Sequence, residues 1–183
     1  MRTLKLFALS LLLIGCTDST PLVIEPEYNL VIRNGLVYDG TGSDPTMADV
    51  AINGDRIVSV GTDLGPGKTE IDASGLAVAP GFINVLSWAT ESLIADGHSQ
   101  SDIRQGVTLE VFGEGWSMGP FNEQMKQEEQ QEQGDIKYDI TWTTLDEYLE
   151  YLVARGISPN VASFVGATTV RIHVLGYEDR APT

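Results

Sequence analysis

Cysteine occurs once in the 183 residues, at Cys16, and histidine twice, at His98 and His173. A single cysteine excludes an internal disulfide, and it leaves no cysteine ligand anywhere after position 16. Basic residues are also scarce, 11 against 26 acidic, and the formal net charge of −15 disfavours nucleic acid and anionic lipid as partners. Long apolar runs are missing too. The apolar stretch at residues 6–14 is far short of the roughly 20 residues that cross a bilayer. With 42% hydrophobic and 20% charged residues, the chain otherwise has the balance of an ordinary globular domain.

The chain opens with Arg2 and Lys5, then the apolar stretch, then Gly15-Cys16. That order reads as an export signal at residues 1–16. Leu13-Ile14-Gly15-Cys16 resembles a bacterial lipobox, which implies lipid attachment at Cys16. In such lipoproteins Thr17, rather than Asp, after the cysteine implies an outer-membrane lipoprotein facing the periplasm. The membrane is then a partner through the lipid anchor only. Residues 17–27 form a polar tether of at most about 35–40 Å.

Residues 28–77 read as short strands. Tyr28, Leu30 and Ile32 alternate onto one face, and Asn34-Gly35 and Asn53-Gly54 are hairpin signals, so a small antiparallel β-sandwich is expected. The pattern changes at Val78, Phe82, Ile83, Val85 and Leu86, which are apolar on both faces as a buried parallel strand requires. Ser99 and Asp102 have capping-box spacing for a short helix stopped at Gly106, and residues 107–112 form the next strand. The Glu/Gln-rich segment to Gln133 reads as a solvated helix or mobile excursion. Thr144 and Glu147 cap an amphipathic helix whose Leu145, Tyr148, Leu149, Leu152 and Val153 share a face, ending at Gly156. Residues 160–165 make a third buried strand. Strands alternating with helices imply a parallel α/β unit.

Residues 80–88, Pro-Gly-Phe-Ile-Asn-Val-Leu-Ser-Trp, resemble the Pro-Gly-Phe-Ile-Asp-Val-His-x-His first barrel strand of the amidohydrolase superfamily, except that Leu86 and Trp88 replace the two histidines. Gln105-Gly-Val-Thr108 and the segment 111–115 resemble the second-strand segment of the N-acyl-D-amino-acid deacylases, the D-aminoacylase branch. The resemblance implies an α/β fold: an incomplete TIM-like (β/α) barrel, its first three strands spanning residues 78–183, behind the β-sandwich module. The piece is expected to be the N-terminal part of a longer protein and to be inactive alone.

The implied activity is hydrolysis of a carbon–nitrogen amide bond in a small-molecule substrate by water activated on zinc. Leu86 and Trp88 offer no lone pair, so strand one ligates no metal. A single zinc held mostly by residues after position 183 is therefore expected. Gly115 falls at the branch's cysteine ligand, with Glu114 beside it as a candidate carboxylate ligand. Trp116, Ser117 and Met118 are placed to line a substrate pocket, and Arg171 to meet a substrate carboxylate. His98 reads as solvent-facing and His173 as part of an extended segment, and neither fits a motif. Catalytic residues are expected on later strands. Two alternatives follow from the missing histidines and the glycine: a non-catalytic binding lipoprotein of the same fold, or a cyclic-amide hydrolase of the hydantoinase and dihydroorotase kind.

Overall fold

The computed structural model describes residues 25–182. The signal segment, Cys16 and most of the tether lie outside the described residues. Two compact units divide between Ala79 and Pro80. No described helix is long and apolar enough to cross a membrane.

The first unit is one five-stranded sheet built on β1 (Tyr28–Val37). β2 (Thr46–Asn53) pairs antiparallel with β1, and β3 (Arg56–Gly61) antiparallel with β2 through a tight turn at Gly54-Asp55, where Gly54 has φ +60° and Asn53 pairs with Arg56. β4 (Gly67–Asp72) and β5 (Ala77–Val78) both lie parallel to β1. Val37, Ala48 and Val50 form its small core, with Ile32, Ile52 and Val78 packed against them.

Two expectations need correcting here. The sheet is mixed rather than antiparallel, and the Asn34-Gly35 pair is not a hairpin turn. The first correction goes with Arg33. Its guanidinium donates to Asp49 Oδ2 (2.9 Å) and Glu70 Oε1 (2.6 Å), and to the carbonyls of Leu64 and Gly65, each at 2.9 Å. The link between β3 and β4 is thereby held at Arg33 and carries the chain to the far side of β1. There β4 arrives running in β1's own direction. Asn34 has φ +59° where the β1–β2 register shifts, and its amide donates to Asp49 Oδ1 (2.9 Å). A left-handed asparagine therefore serves as a bulge inside a continuous strand.

The second unit is a three-stranded parallel sheet in the order β6 (Phe82–Asn84), β7 (Val107–Phe112), β8 (Asn160–Ser163). Five helices accompany it: α1 (Thr90–Ala95), α2 (Gln100–Ile103), α3 (Glu123–Glu132), α4 (Leu145–Arg155) and α5 (Ala167–Leu175). α4 starts on the capping box that its sequence predicts. Thr144 Oγ1 accepts from the Glu147 amide, and the Glu147 carboxylate accepts from the Thr143 and Thr144 amides. The Ser99 box does not form. Ser99 has φ +43°, and its hydroxyl is spent on the Asp102 carboxylate instead of a backbone amide. The Glu/Gln-rich segment is α3, capped by Asn122 and anchored by one buried residue, Met125.

The core of this unit gathers Leu93, Phe112, Phe121, Met125, Trp142, Tyr148 and Leu152. Burying each such side chain contributes about 1.5–3 kcal/mol. Trp142 stacks on Tyr138 with centroids 6.1 Å apart, tilts against Tyr148 at 5.2 Å, and donates its indole N–H to Met118 O (2.7 Å). Tyr148 donates to Thr90 O (2.9 Å), and burial pushes its phenol well above the usual tyrosine range. These contacts pin the helices and the long β7–α4 connection around one aromatic centre.

Candidate functional site

The carboxyl ends of the three parallel strands lie side by side, which is where α/β folds place their ligands. Beyond β6 the chain stays beside β7 because the Ser87 amide donates to Val111 O (2.8 Å). Beyond β7 and β8 the chains remain joined, the Phe164 amide donating to Phe112 O (2.8 Å). A depression opens there, lined by Val85, Leu86, Trp88, Trp116, Met118 and Phe164, with Glu114 and Gly115 also on its wall. Leu86 and Trp88 follow β6 rather than lie in it, 53% and 81% exposed, and Phe82, Ile83 and Val85 are exposed as well, so the strand expected to be buried on both faces is short and open in the described residues.

Glu114 is exposed on the loop that leaves β7. That loop turns at Gly113, whose φ is +85° and where an added Cβ would collide with Phe164 O and Ser163 Oγ. An added Cβ at Gly115 would meet nothing within 4 Å. The donors that the described residues bring to this depression do not by themselves make a metal site. Leu86, Trp88 and Gly115 supply no lone pair, and one carboxylate cannot by itself fill a zinc site. No group of three or more His, Cys, Asp or Glu side chains able to hold a metal occurs among the described residues.

Ser117 is fully buried. Its hydroxyl donates to Gly119 O (2.5 Å) and accepts from the Gly166 amide (2.9 Å), while its own amide donates to Thr169 Oγ1 (2.8 Å). It ties the β7 loop to the start of α5, so the expected substrate contact has no free hydroxyl to use. Arg171 is exposed on α5, and its guanidinium donates to Glu178 O (2.9 Å) and Arg180 O (3.0 Å). It holds the segment after α5 and does not line the depression. His98 is exposed, its Nδ1 2.9 Å from Asp96 Oδ1. Hydrogen bonds from the His98 amide and ring hold the Asp96 carboxyl below its ordinary range. His173 lies within α5 (Ala167–Leu175), not in an extended segment, and the ring's Nδ1 is buried without a partner among the described residues.

Sequence reasoning missed Glu110. It sits in the middle of β7, fully buried, accepting from Asn84 Nδ2 (3.2 Å) across the β6–β7 pair. Its Oε1 has no partner among the described residues. The available signal was a glutamate inside an otherwise apolar strand, a position that a solvated carboxylate does not favour.

No family model matches the chain. It is 31% identical over 170 residues to an N-acyl-D-aspartate deacylase of Alcaligenes xylosoxydans xylosoxydans, covering 91% of this chain and 34% of that protein. A solved D-aminoacylase, described for the role of its binuclear metal centre with one-metal activation and second-metal attenuation, superposes with a TM-score of 0.68. The two are 30% identical, and the match covers 81% of this chain and 31% of that one. A Bordetella bronchiseptica N-acyl-D-glutamate deacylase complexed with zinc and a phosphonate inhibitor gives a TM-score of 0.71 at 27% identity, covering 87% and 33%. The chain therefore spans about a third of the length of the proteins it matches.

Proposed function

Since the chain is homologous along most of its length to the D-aminoacylase branch of the amidohydrolases, we propose that the protein containing it hydrolyses the amide bond of an N-acyl-D-amino acid. The supporting observation is positional. The chain's parallel strands end together in a depression at the place where this fold class puts its chemistry. The three strands are proposed as the first part of a (β/α) barrel. The mixed sheet of the first unit is proposed as one layer of a sandwich, its second layer covering Ile57, Val58 and Val60, all of which are exposed.

A single zinc is proposed, with its ligands on residues outside the described ones, and Glu114 is the one carboxylate at the strand ends that could join them. When bound, zinc supplies a water acidic enough to attack the amide carbonyl. Within this chain, the side chains at the strand ends orient substrate and exclude water. The test is amino-acid release from a panel of N-acetyl-D-amino acids by the purified full-length protein, with and without a chelator. Chelator-sensitive release supports the reading. A zinc-loaded protein that releases nothing from any member would sink it.

A non-catalytic binding protein is the second reading, favoured by the missing donors at Leu86, Trp88 and Gly115. It predicts saturable binding of the same N-acyl amino acids without turnover. Export and lipid attachment at Cys16, with an outer-membrane address, are also proposed, resting on residues 1–17 of the sequence. Palmitate labelling that persists in Cys16→Ser would refute them.

A further inference from the structure

We propose that Glu110 is a positioning residue, which acts through Asn84 to fix the turn at Val85-Leu86, where the chain leaves β6 at the strand ends. The role rests on the deacylase reading for its substrate class and goes beyond it in naming the groups that hold this part of the site in place. Glu110 has no exposed surface, so the described residues alone enclose it. Only Oε2 of its two oxygens has a partner among them. A buried carboxylate met by a single neutral donor costs stability that an apolar side chain in a strand would not cost. Departures of that kind are expected where a residue serves a site rather than the fold.

Donor and acceptor roles show what Glu110 does. Asn84 Nδ2 donates to Glu110 Oε2 (3.2 Å), and Asn84 Oδ1 accepts from the Leu86 amide (3.3 Å). An asparagine side chain has a donor end and an acceptor end, and rotating it by half a turn exchanges them. A carboxylate only accepts, so Glu110 admits the orientation that turns Oδ1 to Leu86 and rejects the other. A side-chain amide in place of Glu110 could meet either end. Just beyond, the Ser87 amide donates to Val111 O (2.8 Å) and the Ala89 amide to Ser87 Oγ (3.1 Å). The Glu110–Asn84 pair thus begins a run of hydrogen bonds that carries the chain from β6 to α1. Val85 and Leu86 form part of the wall at the strand ends, where this fold class places its chemistry.

The test uses the purified full-length protein and a panel of N-acetyl-D-amino acids. Glu110→Gln keeps the size of the side chain and its acceptor but removes the selection. Exchange of the Leu86 amide hydrogen should become about tenfold faster, the equivalent of one lost hydrogen bond. The kcat/KM should fall about tenfold, while the urea midpoint does not drop, so neither change reports a weakened fold. Asn84→Asp brings two carboxylates together with no donor between them, and it should lose both exchange protection and activity. Adding Glu110→Gln supplies the donor from the other side, and the two equivalent oxygens of the new aspartate always leave one for Leu86. The double substitution should return both readouts to within about threefold of wild type. Turnover and exchange unchanged in Glu110→Gln overturn the inference and leave the deacylase reading intact. Faster exchange with unchanged turnover overturns it too, as does a double substitution no better than Asn84→Asp alone. A wild-type protein that binds the panel without turnover sinks the deacylase reading, and the same fold-change in Kd then decides the positioning role. One that neither binds nor turns over any member sinks both.

Discussion

Asn84 Nδ2 donates to Glu110 Oε2 at 3.2 Å, joining the last residue of β6 to a fully buried carboxylate in the middle of β7. The same asparagine accepts from the Leu86 amide (3.3 Å), so one side chain links the buried carboxylate to the backbone that presents Leu86. Asn84→Ala should therefore leave Glu110 with neither oxygen paired. The expected loss is about 1–3 kcal/mol, the cost of stranding a buried polar group. Glu110→Gln removes the charge and keeps an acceptor, and it should be near neutral or stabilising. Urea unfolding of the two variants checks the order, and the reverse order would be inconsistent with this pairing.

Ser117 separates a structural role from a substrate role. Ser117→Ala removes a hydroxyl that bridges Gly119 O and the Gly166 amide in the interior. Stability should fall by about 1–3 kcal/mol, with KM for an N-acyl amino acid unchanged wherever the protein remains folded. A KM that rises with no loss of stability would return Ser117 to the substrate.

The two glycines of the β7 loop should respond oppositely to one methyl group. Gly113→Ala sets a Cβ against Phe164 O and Ser163 Oγ at a positive φ. Left-handed backbone alone costs about 1–2 kcal/mol for an L-residue, and the clash adds to it. Gly115→Ala meets open space and should stay within about 0.5 kcal/mol of wild type. Thermal midpoints of the pair measure the difference.

The capping box of α4 makes a pH prediction. Hydrogen bonds from the Thr144 and Thr143 amides hold the Glu147 carboxyl below its ordinary value of 4.5. A depressed folded-state pKa means stability that is present above 4.5 and is lost as pH falls through the lower folded value. Glu147→Gln should remove that part of the acid dependence while leaving the neutral-pH helix intact. Thr144→Ala should cost about 1 kcal/mol at neutral pH. Unfolding curves taken across the acid range check both, and an unchanged acid slope in Glu147→Gln would argue against the box.

Local chemistry was legible where neighbours in sequence settle it. Thr144 and Glu147 are three residues apart and reach each other's backbone amides once the cap residue is extended, as Thr144 is and the left-handed Ser99 is not. The hairpin expected at Asn53-Gly54 likewise formed, one residue further on, with Asn53 paired to Arg56 and the turn at Gly54-Asp55, where Gly54 takes a positive φ without cost. Asn34-Gly35 carries almost the same signal and did something else. Its fate depended on Asp49, whose carboxylate accepts from the Asn34 amide, a pairing that no local pattern carries. His173 failed for a related reason: an Ile-His-Val run suits strand or helix equally, and packing chose the helix.

By itself, the sequence determined the strand–helix alternation of the second unit and the capped start of α4. These are matters of residue type and short-range period, so they survive without knowledge of the fold. Only the tertiary structure decided that the first sheet is mixed, that Ser117 and Arg171 spend their polar groups on the backbone, and that Glu110 is buried against Asn84. Each of those depends on which distant donors and acceptors arrive together once water is excluded, and a linear chain does not specify that until it has folded.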